Sequence, residues 1–253
     1  MNPITRRKLI YGGTAAAIGV AGLAAADRVA KRYGLIPPDG AGIYGPGETL
    51  TYACQRLLTV NAPVREFSRS MISKNPFANE VGPLGDKFKQ FEEAGFKDWR
   101  LVVDGTVAHP LSLSLSDLKS LPVRSQVTEV ACEEGWSYIA EWIGTPLSKV
   151  LREAGVLPQT RYIVYQSFQG NDWWDSIDMA DAWDPHTLLT MGMNDGDLPV
   201  PFGGPLRLRM PRQLGYKSVK YITRITATDD IRKFGKGLGS SEPEGGYAWY
   251  AGI

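Results

Sequence analysis

Histidine is nearly absent: His109 and His186 are the only two in 253 residues. There is no HExxH array and no third imidazole, so the pattern offers no foundation for a zinc or iron site of the usual kind. The same shortage weakens a Ser–His–Asp or Cys–His nucleophile, and each histidine reads as an ordinary polar residue. Cysteine is as scarce. Cys54 and Cys132 make at most one bridge and no disulfide scaffold. CxxCH, CxxC and an iron–sulfur cysteine set are all missing, which excludes a resident haem or cluster and leaves a thioredoxin-like role without its motif. Charge of one sign is lacking too: 28 basic residues face 27 acidic ones, with nothing of a nucleic-acid footprint. The uncharged stretch 9–26 has 18 residues, at the lower limit for a spanning helix, and is mostly Ala and Gly.

What is present describes a globular chain, 43% hydrophobic and 22% charged, with ample length for a buried core. The front is different. Arg6, Arg7 and Lys8 precede the weakly apolar run, and Ala24-Ala25-Ala26 supplies a small-residue cleavage pattern. Thr5-Arg6-Arg7-Lys8 resembles a twin-arginine export signal, in which the arginine pair is a receptor-read address. Residues 1–26 are therefore expected to direct export to the periplasm. An uncleaved N-terminal anchor is the alternative. By resemblance, such signals serve proteins exported already folded, often with a cofactor in place.

Residues 27–94 read as a loop-rich arm packed on the core, rich in Pro and Gly at 34–48. Residues 95–234 form the main domain, and a Gly- and aromatic-rich tail fills 235–253. Strands are expected at 99–105, 125–132, 161–168, 205–211 and 219–230. Helices are expected at 113–122 (Ser116 as N-cap), 145–156 (Thr145 as N-cap, Gly155 as stop) and 184–193 (Asp184 as cap, Pro185 first). The sum is an α+β fold of mixed sheets with short helices.

Two features carry chemistry. Cys132 ends a strand and enters "CEEGWS". Alone it reads first as a buried inert thiol, or as half of a bridge with Cys54. As a thiolate it would suit a soft, redox-active metal. Arg207, Arg209, Arg212, Lys217 and Lys220 are five cations within 14 residues, interleaved with Gly203-Gly204 and Ser218. They form either a solvated basic face or a site that captures an anion through guanidinium, ammonium, hydroxyl and backbone N–H groups.

In order and spacing, "CEEGWSYIAEWIGTPLSKVL", "YQSFQG", "GGPLRLRMP" and "GYKSVKYITRI" resemble the sulfite-oxidase-fold, molybdopterin-dependent oxidoreductases over roughly residues 95–230. The layout is similar to that of the catalytic subunits of periplasmic methionine sulfoxide reductases. The resemblance implies a molybdopterin cofactor without a nucleotide, with Cys132 as both catalytic residue and protein ligand to molybdenum. It implies that Arg207, Ser218, Val219 and Lys220 hold the pterin phosphate and that Ser167 contacts the cofactor. Arg65 and Glu66 resemble a segment lining the pterin. Phe202 stands where the family usually has Asn or His.

Sulfite oxidases follow this cysteine with arginines, where this chain has Glu133 and Glu134. Like charges at 4 Å repel by about 4 kcal/mol at an effective dielectric of 20, which disfavours a sulfite dianion. The expected activity is therefore two-electron oxygen-atom transfer that reduces a neutral S- or N-oxide, small or protein-bound. Trp136, Trp142, Trp173 and Trp174 would shape an apolar mouth, and a membrane haem- or quinone-linked donor would feed a monomeric catalytic subunit. The alternatives are a sulfite-type oxidase and a metal-free binding protein of the same fold. The retained Cys132 argues against the binding protein, and Phe202 argues weakly for it.

Overall fold

The computed structural model describes residues 46–79, 84–168 and 173–253, with isolated positions between 22 and 38. The Arg6–Lys8 front and nearly all of the run 9–26 lie outside the described residues. Among the described residues, no helix is long and apolar enough to cross a membrane.

Two five-stranded sheets enclose the main core. The first joins β1 (Arg100–Gly105), β2 (Leu111–Ser114), β5 (Tyr162–Ser167), β6 (Trp174–Asp178) and β10 (Ile222–Thr228) in the order β2-β1-β10-β5-β6. Only β1 and β10 run parallel. The second takes β3 (Arg124–Ala131), β4 (Ser137–Pro146), β7 (Leu188–Met193) and β8 (Gly196–Asp197) in that order, with β9 (Arg207–Arg209) also paired to β7. Leu101, Val103, Leu151, Ile163, Leu189, Leu208 and Ile225 pack in one apolar cluster to which both sheets contribute. Phe88, from the helix Gly85–Glu93, joins Trp99 and Tyr221 in a separate aromatic cluster.

The helices follow local chemistry, with some corrections. Leu115–Ser120 is capped by Ser114, not Ser116. The Ser114 hydroxyl accepts from the Asp117 N–H at 3.1 Å, and the Asp117 carboxylate accepts from the Ser114 N–H at 2.8 Å. This reciprocal box has the spacing that decides the cap. Leu147–Ala154 buries Leu147, Val150, Leu151 and Ala154, and Gly155 ends it in the left-handed region (φ 64°). Thr145 lies in β4 and does not cap that helix.

The largest correction concerns 184–193. Leu188–Met193 is the buried strand β7, with all six residues shielded. A continuous apolar run cannot be assigned by periodicity, and here neighbours on both edges complete its backbone bonding. Asp184 does cap a turn: its carboxylate accepts from the His186 N–H at 2.8 Å.

Candidate active site

β3 and β4 pair from Arg124↔Gly144 to Ala131↔Ser137, and the chain reverses between them at residues 132–136. Cys132 donates its N–H to the Trp136 carbonyl and accepts the Gly135 N–H on its own carbonyl, both at 3.0 Å. Gly135 takes φ 89°, a value that favours glycine. The thiol is thus presented at the tip of a long, fully paired hairpin, a more rigid mount than a loop.

The basic segment divides by partner. Lys217 is fully buried, pairs with Asp175 and donates to the Ser176 carbonyl at 2.8 Å. Arg212 pairs with Asp184 at 2.5 Å. Arg209 is buried, donates to the Glu129 carbonyl and to Thr128, and lies 5.6 Å from the Trp142 ring. These three are committed to the fold. Arg207 and Lys220 remain, and both line a cavity of about 230 Å³.

That cavity gathers Cys132, Ser167, Phe202, Arg207, Ser218, Val219 and Lys220. Seven of the nine residues marked in the sequence thus meet, from strand ends and loops of both sheets. Arg65 and Glu66 do not line it. Arg65 covers the Phe67 ring at 4.6 Å, and Glu66 pairs with Arg124 at 2.8 Å on the surface. The backbone explains this placement: the Phe67 N–H bonds to the Val127 carbonyl and so docks the segment beside the middle of β3, away from its Cys132 end. Of the four tryptophans marked for the mouth, Trp136, Trp173 and Trp174 line the cavity, whereas Trp142 is fully buried beneath Arg207.

Arg207 donates to the Phe202 and Ser218 carbonyls, each at 2.7 Å. The Phe202 backbone therefore makes a polar contact at a position where the side chain offers none. Lys220 donates to the Asn79 and Pro201 carbonyls at 2.6 Å. Neither cation makes an ion pair among the described residues. Burial pushes the Arg207 pKa down, and burial with the nearby Arg207 charge pushes Lys220 down to about 7. Two half-satisfied cations facing one cavity fit an anion such as a phosphate. At Cys132, burial first, together with Glu133 and Glu134, pushes the thiol up to about 12. Its Sγ lies 3.2 Å from a Glu133 carboxylate oxygen and 3.7 Å from one of Glu134, and its single S–H donates to the nearer. A bound metal cation favours the thiolate over the thiol, and Cys132 is the soft donor in the cavity.

Asn79, Tyr138, Tyr216 and Glu242 also line the cavity and were not marked in the sequence. They come from distant segments, and no local motif connects them to Cys132. His109 and His186 do not line it. Cys54 and Cys132 are both free thiols, so the bridge between them is not formed. Among the described residues, no three His, Cys, Asp or Glu side chains gather at metal-ligand spacing.

Residues 89–233 match the family described as the oxidoreductase molybdopterin binding domain. The chain is 35% identical over 191 residues to a protein of Azospira oryzae named as a candidate protein-methionine-sulfoxide reductase subunit, YedZ1. That match covers 76% of this chain and 68% of that protein. It is 29% identical over 165 residues to the protein-methionine-sulfoxide reductase catalytic subunit MsrP of Pseudomonas syringae, covering 59% of this chain and 49% of that one. Among solved structures it resembles the sulfane dehydrogenase SoxCD of Paracoccus pantotrophus. The TM-score is 0.51 and the identity 26%, over 53% of this chain and 39% of that chain. A thiol at a rigid hairpin tip, two cations awaiting an anion and a match over more than half of its length lead to one conclusion: the chain belongs to the molybdopterin-binding oxidoreductases of the sulfite-oxidase fold.

Proposed function

We propose that this oxidoreductase reduces S-oxides in the periplasm. The sulfoxide S–O bond breaks, the sulfur takes two electrons, and the oxygen leaves as water with two protons. When bound, the molybdenum centre supplies the two-electron couple and the acceptor for the oxygen atom. The chain's own residues bind and orient. The Cys132 thiolate would hold the metal from the hairpin tip. Arg207, Lys220 and the Ser218-Val219 segment would hold the pterin phosphate by charge and hydrogen bonds, and Ser167 lines the same cavity. Arg65 and Glu66 take no part in this reading, because they lie off the cavity.

The observation that carries the choice of substrate is the pair of carboxylates, Glu133 and Glu134, within 3.7 Å of the Cys132 sulfur. They disfavour a dianion such as sulfite, whereas a sulfoxide can be neutral or cationic. The relatives named for protein-methionine-sulfoxide reduction support the same choice. The arginine pair ahead of residues 9–26 supports export, and the lack of a haem or cluster motif supports an electron donor outside this chain, for which we take a membrane haem- or quinone-linked partner.

Assays on purified, molybdenum-loaded protein test the proposal: a reduced dye donates electrons to sulfoxides and N-oxides, and an oxidised dye accepts them from sulfite. Sulfoxide turnover well above sulfite turnover is the expected result. Faster sulfite oxidation would overturn it.

A further inference from the structure

The cavity around Cys132 is electrically divided. Lys220 feels the Arg207 charge, Arg207 has the Tyr138 and Tyr221 phenols beside it, and neither cation has a carboxylate among the groups that shift it. The acids lie together elsewhere on the wall. Glu133 and Glu134 follow Cys132 in the hairpin tip, and Glu242 lines the same cavity from the short helix Ser241–Glu244. Glu133, Glu134 and Glu242 all line this one cavity, and burial first, then the Asp175 and Glu133 charges, raise the Glu242 pKa. Asp175 is fully buried and also lines the cavity. Its Oδ1 is taken by Lys217 and by the Ser176 N–H, while Oδ2 makes no hydrogen bond and has Ser240 beside it.

Indole surface accompanies the acids. Trp173 is 41% exposed and lines the cavity. Trp136 donates its N–H to Glu134 at 2.8 Å and is braced by Phe77 at 5.0 Å and by Tyr138, stacked at 5.9 Å. A phosphate on Arg207 and Lys220 neutralises the cationic end. What then faces an incoming molecule is carboxylate and indole, the pairing that holds organic cations.

We infer that the substrate of this cavity is a cationic S-oxide, a thioether oxide carrying an ammonium or guanidinium group near its S–O bond, held by Glu133, Glu134 and Glu242 against Trp136 and Trp173. This rests on the sulfoxide-reductase reading and adds the charge of the substrate to it. An isolated methionine sulfoxide with a free amine, or one flanked by lysine or arginine in a protein, meets the description.

Three compounds test it at pH 6, where the ester's amine is protonated: methionine sulfoxide methyl ester (cation), N-acetylmethionine sulfoxide methyl ester (neutral) and N-acetylmethionine sulfoxide (anion). With the dye donor, kcat/KM for the cation is expected to exceed that for the anion by about tenfold or more, which corresponds to about 1.4 kcal/mol. The ratio should shrink at high salt and approach one in the Glu133→Gln/Glu242→Gln double variant. The corresponding sulfones, which carry no reducible S–O bond for this reaction, are titrated against tryptophan fluorescence of the same holoenzyme. Tighter binding of the cationic sulfone supports the inference. Equal binding of all three, or binding of none, overturns it. Selective binding of the cationic sulfone with no reduction of any sulfoxide would overturn the reductase reading and leave the charge selection standing.

Discussion

Gly203 lies beneath the Lys220 side chain: a Cβ at position 203 would stand 2.9 Å from Lys220 Cγ and 3.1 Å from Arg207 Cβ. The glycine also takes φ 107°, in the region that side chains resist. It therefore lets the loop pass close under the two cations that face the cavity. Gly203→Ala is expected to cost about 1–3 kcal/mol in backbone strain and to displace both cations. Urea unfolding and the molybdenum content per chain check it. Wild-type values of both would show that the close approach is dispensable.

Cys132 is half-buried at a hairpin tip held by backbone bonds that do not involve its sulfur. Cys132→Ala should therefore change unfolding free energy by less than about 1 kcal/mol. Turnover and bound molybdenum should both be lost. Metal analysis beside circular dichroism separates this outcome from misfolding, and retained metal with retained turnover would remove Cys132 from the centre.

Lys220 gives the cofactor-free protein a pH signature. Its folded pKa is about 7 against an ordinary value of 10.5, with burial as the main cause and the Arg207 charge next. Between those two values the unfolded chain holds a proton that the folded chain has released. Stability therefore rises with pH across that window. Below pH 7 both states are protonated and the cost of the buried charge is felt in full. Inorganic sulfate, a stand-in for the phosphate, should raise Tm more at pH 6 than at pH 9.5. Calorimetry with Lys220→Met as control reads the difference, and an equal rise at both pH values in the wild-type protein would count against it.

Lys217 and Asp175 form a buried ion pair beside the cavity, both essentially inaccessible to water. Lys217→Met leaves the Asp175 carboxylate without its counter-charge in a dry setting. The expected loss is about 3–5 kcal/mol. Urea denaturation measures it, and a loss below about 1 kcal/mol would mean that water or Ser240 compensates.

The sequence was most informative where chemistry is local. The Asp117 box on Ser114, the Gly155 stop and the strand leading to Cys132 depend on neighbours within a few residues. Even there the cap was displaced by two positions, because Ser114 and Ser116 are equivalent by type and only their bonding to Asp117 distinguishes them. The Leu188–Met193 strand was illegible for a different reason. A short run of apolar residues suits a buried helix or a buried strand, and β4 and β9 on its two sides decide between them.

The scarcity of histidine and cysteine narrowed the candidate chemistry to Cys132 and the basic segment 207–220, and left open whether that segment is a solvated face or an anion site. Only the tertiary structure decided which cations serve the cavity. Arg209, Arg212 and Lys217 found carbonyl or carboxylate partners in the fold, while Arg207 and Lys220 were left with carbonyls and open space. The physical reason is that residue type fixes what a side chain can bind, whereas the groups it meets are set by segments far away in the chain. Arg65 and Glu66, which the Phe67 backbone bond docks beside the middle of β3 and off the cavity, show the same division.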